Sequence, residues 1–401
     1  MLEWLDIARN QAEERFRSLP LPTANDENYR FTPTELPGAS PSAGGAGGAI
    51  SAEATMLDEQ ESGLLTISGE EANFQGAAPG VMFTDLYKAA VLGLDFVRQR
   101  LKDSQPFADD KFAQLTAARW KNGVFLHVPA GVKVAEPLRA AIASPCGEGH
   151  FRHLITVEDG AEVTIIQEHI SEEESAFVSE LLELKLGREA KVHWVIAQRL
   201  GTGTRGVFRQ RIELGEGAEL KVTPLHLGGA SVQVRQEYAM GAESSLELAG
   251  AARGERTQHF DFWVDVKHHG SRSRSQLDMA FVMGGNAKAV FNGLLHVEKQ
   301  AFDCSATQKS RSLLLGGKAT VHSIPKLIIQ TDQVKCGHGA SISTVSSEQL
   351  HYLQSRGIPR MEAERMIVRG FTENVLERLP TDSLQGRADA ALDRKEGSWL
   401  Q

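Results

Sequence analysis

LITVEDGAEVTIIQ, residues 154–167, alternates apolar and polar side chains, turns at Asp159 and Gly160, and alternates again. A period of two is the mark of a strand with one buried face, and glycine suits a tight turn. The phrase returns as LELKLGREAKVHWVI (182–196), RIELGEGAELKVTPL (211–225), YAMGAESSLELAG (238–250), AFVMGGNAKAVFNG (280–293) and LLLGGKATVHSI (313–324). Ala161, Ala190, Ala218, Ala242, Ala287 and Ala319 recur at its turns. The interval is roughly thirty residues, the scale of solenoid repeats. One gap, from Ala242 to Ala287, is wider and reads as hiding a degenerate unit. A strand-only unit of this length cannot bury its face alone, but it can by stacking on its neighbour. A β-sandwich also fits short strands with regular turns, yet has no need of internal similarity. The expectation is a mainly β protein whose core, over 121–343, is a parallel β-helix with terminal rungs that need a cap or a partner.

Outward from the repeats the texture becomes helical. Residues 2–19 place Leu5, Ala8, Ala12, Phe16 and Leu19 on one helix face, and the prolines of LPLP end it. Asn28-Tyr-Arg-Phe-Thr reads as a packed turn. The Gly/Ala/Ser-rich stretch of about 37–63 reads as a flexible linker, and LLTISGEEANF as a brief hairpin. Thr84-Asp85 should cap a helix with Leu86, Ala90, Leu94, Val97 and Leu101 on one face, followed by a helix from Pro106 to Trp120. Residues 1–120 are thus expected to be an N-terminal helical region. Past Ser343, over 344–401, Ser346 or Ser347 should cap one helix that Gly357 stops. A longer helix follows between Pro359 and Pro380, with Met361, Met366, Ile367, Phe371, Val375 and Leu379 as an apolar stripe expected mostly to pack on the last rung. The tail from Asp382 reads as polar and weakly helical.

The chain has 401 residues, 41% of them hydrophobic, and a formal net charge of −9. That excess of acid argues against a broad nucleic-acid-binding face. The segment HHGSRSRSQ (268–276) is a basic candidate whose plainer reading is a solvated loop. No apolar run is long enough for a membrane span. The charged N-terminus is unlike a secretory signal, and three scattered cysteines (Cys146, Cys304, Cys336) suggest the reducing cytoplasm rather than a disulfide framework.

Chemistry-bearing residues are few. Cys336 and His338, in TDQVKCGHGAS (331–341), share one face if the strand persists there. Alone the pair falls short of the four ligands of a structural zinc site, and Cys146 and Cys304 do not obviously converge with it. It can also be read as half of a site completed by a second chain. His259, Asp261, His268 and His269 form a polar cluster that could do acid–base work, though no nucleophile motif accompanies them and ordinary strand-face histidines explain them. Glu158, Asp159 and Glu172–Glu174 fall in apparent turns. Parallel β-helices often carry polysaccharide lyases, but these acidic runs look like solvated surface. Aromatics, at 6%, argue no sugar groove. A carbohydrate-active enzyme and a purely structural interaction module remain the alternatives.

Several blocks resemble the SufB/SufD family of iron–sulfur cluster assembly proteins, the SufD branch most closely. They are WLDIARNQAEERFRSLPLP and NYRFT near the start, FAQLTAARWKNGVFLHVPAGVKVAEPL (112–138), QKSRSLLLGGKATVHSIPKLII (308–329), DQVKCGHGAS, and EQLHYLQSRGIPRMEAERMIVRGF (348–371). The run KC-x-HGA followed by YLxSRG is the specific part. MIVRGF reads like SufB instead, and Ser341 stands where the family usually has threonine. The resemblance implies a right-handed parallel β-helix between helical regions and a non-catalytic scaffold role in a SufB–SufC–SufD complex. Its C-terminal helices would bind the SufC ATPase, with Tyr352, Arg356, Gly357, Met366 and Phe371 the residues expected at that contact. Its β-helix edge would pair with a SufB-like partner, or with a second copy when the chain is made alone. His338, and less firmly Cys336, would be ligands for a transient iron–sulfur cluster whose remaining ligands come from SufB. Mixed thiolate and imidazole sets suit that chemistry.

Overall fold

The computed structural model describes residues 3–32, 55–57, 63–76, 79–103, 107–144, 147–171 and 177–393. The chain opens with helix α1 (Glu3–Ser18), the antiparallel hairpin β1 (Leu64–Ser68) and β2 (Glu71–Gln75), strand β3 (Met82–Asp85), and helices α2 (Leu86–Val91), α3 (Asp95–Asp103) and α4 (Lys111–Arg119). The strands that follow are β4 (Val124–Val128), β5 (Leu138–Ser144), β6 (Glu148–Val157), β7 (Glu162–Ser171), β8 (Phe177–Leu186), β9 (Lys191–Arg199) and β10 (Arg205–Leu214). They continue as β11 (Glu219–His226), β12 (Ser231–Met240), β13 (Ser245–Gly254), β14 (His259–His268), β15 (Arg274–Met283), β16 (Lys288–Val297), β17 (Cys304–Leu314), β18 (Thr320–Ile329) and β19 (Val334–Thr344). Helices α5 (Ser347–Ser355), α6 (Arg360–Leu376) and α7 (Asp382–Asp393) close the chain.

Odd-numbered strands from β5 to β19 stack in parallel in one sheet, extended by β1 and β2; even-numbered strands from β4 to β18 stack in the other, extended by β3. The result is a parallel solenoid of about seven turns. Alternate residues such as Val178, Leu182 and Leu184, or Phe260, Phe262, Val264 and Val266, point inward and fuse into one core along the axis. Each such side chain, fully buried, contributes about 1.5–3 kcal/mol. The outer face of the even sheet carries the N-terminal helices through Leu5, Leu86, Val97, Trp120, Phe125 and Leu154. The outer face of the odd sheet carries α6 and α7, through Val375, Leu379, Leu384, Ala388 and Leu392.

One corner explains the repeated phrase. Gly160, Glu189, Gly217, Glu243, Arg272 and Asp303 all take positive φ, between 54° and 66°. Each hands its N–H to a turn carbonyl of the next rung, on Arg188, Glu216, Ala242, Ser271, Phe302 and Gln333 respectively, at 2.7–2.9 Å. The following residue is small and buried: Ala161, Ala190, Ala218, Ser244, Ser273 and Cys304. So Ala242 is two residues ahead of its column, while Ala287 and Ala319 lie at the opposite corner, just before β16 and β18. The wide gap is therefore no degenerate unit: the phrase changes corner, and Ser273 stands in the alanine column with its hydroxyl donating to the Gly270 carbonyl.

Other expectations need correction. The helix after Asp85 is capped as expected, the carboxylate accepting from Lys88 N at 2.8 Å. It breaks into α2 and α3 at Gly93, whose φ is +72°. The next helix begins not at Pro106 but after Asp110, which caps it by accepting from Ala113 N. The linker reading falls mostly outside the described residues. Its described part, 55–57, is pinned instead: Thr55 and the Met56 N–H donate to Glu168, and Arg387 donates to the Met56 and Leu57 carbonyls. The stripe divides: Val375 and Leu379 pack on the side wall with Ala251 and Ala280 of β13 and β15, while Ile367 and Phe371 pack toward the last rungs with Leu313 and Val345. Met361 and Met366 stay exposed. The tail from Asp382 is the packed helix α7, because Leu384, Ala388 and Leu392 recur every four residues.

Candidate functional site

The two ends of the solenoid differ. At the start, the two sheets end on short antiparallel strands, the five-residue β2 and the four-residue β3. At the finish, among the described residues, β18 pairs only with β16 and β19 only with β17, so both sheets end on long parallel strands of ten and eleven residues whose outer edges are free. Ile328, Ile329 and Ile342 are exposed there. Unpaired strand edges with apolar side chains are templates for another chain.

Cys336 and His338 sit on that last strand. Cys336 pairs with Ala306 and His338 with Gln308 across the β17–β19 ladder, on the same inward face. His338 is exposed at the open rung. Cys336 is half-buried beside Val297, Ala301, Val334 and Cys304. Burial pushes its thiol above the ordinary value, and the Ala306 backbone hydrogen bond pulls the other way. The fold thus brings Cys304 to Cys336, a convergence that the spacing of the two in the chain does not show. Cys146 lies outside the described residues.

The C-terminal residues gather in a second place. An apolar groove of about 900 Å³ runs between the end of β19 and helices α5 and α6, lined among others by Leu313, Val345, Tyr352, Met366 and Phe371. Tyr352 is 57% exposed and Met366 46%. The Arg356 guanidinium stacks over Tyr352 at 5.3 Å, and Arg311 over Phe371 at 5.3 Å. Gly357, at φ +85°, stops α5 rather than lining the groove.

The histidine cluster does not converge. His259 and Asp261 face outward near the start of β14, and Asp261 is held by the Thr32 hydroxyl. His268, at the strand's other end, points inward and meets Ser273 at 2.7 Å and Ser275 at 2.9 Å. His269 pairs with Glu298 at 2.9 Å in the following turn. In the 268–276 stretch Arg272 is tied to Glu243. Glu158 holds His127 and the Ala130 N–H, and Asp159 holds Arg188, so these acids brace turns. Glu172–Glu174 lie outside the described residues.

One inward cluster escaped the sequence reading. His153, His169 and Glu180 meet in the lumen, fully buried, and form the one metal-type donor triple among the described residues. Hydrogen bonding argues against a metal there. His153 Nδ1 accepts from Val124 N at 2.8 Å, so its proton sits on Nε2, facing Glu180 at 3.3 Å. A ligating histidine instead donates from its second nitrogen. Glu180 also receives Gln167 at 2.8 Å and Gln210 at 2.6 Å, and lies 2.6 Å from His169 Nε2. Burial pushes its carboxyl up, but His169 and His153 outweigh it and hold it well below the usual range. The cluster is a carboxylate solvated by side chains. Its signal in sequence is a charged residue in phase with Val178, Leu182 and Leu184.

Comparison with known proteins bears on the open rung and groove. Residues 143–371 match the family described as "SUF system FeS cluster assembly, SufBD core domain". This chain belongs to that family. The SufBD match covers most of the solenoid, including the open rung, and reaches into α6. The iron–sulfur cluster assembly protein SufD of Bacillus subtilis is 32% identical over 325 residues, which cover 79% of this chain and 74% of that protein. The chloroplastic protein ABCI7 of Arabidopsis thaliana is 27% identical over 406 residues, 96% of this chain and 84% of its own. A SufBD family protein of Staphylococcus epidermidis is 27% identical over 311 residues, 76% of this chain and 66% of its own. SUF-system membership and the solenoid fold agree with the resemblance read from KC-x-HGA and YLxSRG. No helix among the described residues is long and apolar enough to cross a membrane.

Proposed function

We propose that this chain is the SufD-type scaffold subunit of a SufB–SufC–SufD assembly in the cytoplasm. Its open rung pairs edge to edge with a SufB-like partner, and its groove between β19, α5 and α6 takes a SufC-type ATPase. ATP hydrolysis belongs to that ATPase. Cys336 and His338 offer a thiolate and an imidazole to a nascent iron–sulfur cluster, the cargo of the reaction, and the partner supplies the remaining ligands.

The observation that carries this reading is the asymmetry of the solenoid. One end finishes on short antiparallel strands; the other finishes on long parallel strands with free outer edges and presents Cys336 and His338 on the same rung. An imidazole exposed at a free edge is half a site unless another chain completes it. The groove supports the ATPase contact, since Tyr352, Met366 and Phe371 line one apolar surface.

Co-expression with SufB-like and SufC-like proteins, then anaerobic reconstitution, tests it. His338→Ala should leave the complex intact and lower cluster yield several-fold, with Cys336→Ala weaker in effect. Unchanged yield removes the ligand role. Failure of the three chains to co-purify removes the scaffold role.

A further inference from the structure

We propose that Cys304 and Cys336 form a two-thiol binding site for a thiophilic metal ion within this single chain. The site builds on the cluster-assembly reading of Cys336 but needs no partner chain.

Three observations converge. First, both thiols are free and share one small cluster with Val297, Ala301 and Val334. Cys304 begins β17, whose Ala306 pairs with Cys336, so the two cysteines are diagonal neighbours on the inward face. Second, the corner does not require a thiol. The same column holds Ala161, Ala190, Ala218, Ser244 and Ser273, and only the rung that abuts Cys336 carries cysteine. Third, Cys304 is a buried sulfur with polar contacts on the preceding rung, which it would exchange for the metal on turning toward Cys336. Its Sγ lies 3.3 Å from Ser273 Oγ and donates to the Gly270 carbonyl at 3.4 Å. Ser273 in turn meets His268 Nδ1 at 2.7 Å.

Geometry separates a metal site from a disulfide. Strands ~4.8 Å apart with a two-residue stagger of ~6.6 Å put the Cα atoms roughly 8 Å apart. A disulfide spans at most ~7 Å between Cα atoms without backbone movement. Two metal–sulfur bonds of ~2.3 Å each bridge about twice the ~2.05 Å of an S–S bond. Loading is balanced by protons: a divalent ion binds two thiolates, and each thiol releases one proton to solvent. The open rung leaves the remaining coordination positions to water or to a partner's ligand.

Cobalt(II) titration of the reduced full chain under anaerobic conditions tests the site, in a Cys146→Ser background that removes the third thiol. The parent should show a thiolate-to-cobalt charge-transfer band saturating at one equivalent. Cys304→Ala should halve that band and weaken affinity by ~10-fold or more, at least the loss seen for an outer-shell partner. The double variant with Cys336→Ala should abolish it. Alanine already fills this corner in other rungs, so Cys304→Ala should melt as the parent does. A parent without the band, or a Cys304→Ala variant with unchanged band and affinity, overturns the proposal. Neither result touches the assembly role, which is read from complex formation.

Discussion

Two buried carboxyl groups should give stability opposite slopes in pH. Glu180 is held below its ordinary range by His169 and His153 despite its burial. Its contribution is present above the unfolded value, about 4.3, and is lost as pH falls further. Glu180→Gln swaps an acceptor for a donor facing Gln167 and Gln210 and should cost about 1–3 kcal/mol at neutral pH. Urea melts should show the gap to the parent closing below about pH 4. Asp261 goes the other way: burial pushes it up to about 7, against the Thr32 hydrogen bond and Arg209. It is most stable protonated, so stability should fall as pH rises from about 4 to 7, by up to ~1.4 kcal/mol per pH unit. Asp261→Asn should flatten that slope in thermal melts; an unchanged slope would assign it to another group. In FVSELLELKL Glu180 falls in phase with the inward Val178, Leu182 and Leu184, a local signal that passed unread. Its donors gave no such signal, because His153, His169 and Gln210 come from three other strands.

At the level of the turn, glycines differ in what they avoid. Gly160 has φ +66° and open space where a Cβ would go. Gly160→Ala should therefore cost only the left-handed backbone penalty, about 1–2 kcal/mol. Gly270 lacks that φ, but a Cβ there would lie 2.0 Å from Ala242 N. That backbone cannot step aside, and Gly270→Ala should cost about 3 kcal/mol or more. Denaturant midpoints of the two variants check the order; equal losses would mean that rung spacing is not tight at this corner. Alternation and turn residues made the strands legible, since both are local. Which corner a turn occupies was not, because both corners close with the same i to i+3 backbone bond, as at Ala218 and Ala287. Gly93 splits a helix that apolar spacing alone would continue, and the packing of α7 was hidden by the polar residues between its leucines.

The whole molecule is a rod with short antiparallel strands at one end and long parallel strand edges at the other. Ile342, 54% exposed on β19, belongs to that end and to no internal core cluster. Ile342→Glu should leave the melting temperature unchanged and block edge-to-edge association. Light scattering would show this for the proposed SufB-like partner and for any pairing of two copies when the chain is alone. Retained association would move the interface elsewhere. The repeats told of a rod, and the Cys-x-His run told where it ends, because no further repeat follows it and the chain turns helical. They did not tell that residues far apart in the chain would lock its sides together. Residues 55–57 are held on one side by Glu168 and on the other by Arg387, about 330 positions later in the chain. A ribosome emits the chain from one end only. That clasp therefore cannot close until residue 387 has left the exit tunnel, and a nascent chain must wait with its earlier segment unfastened.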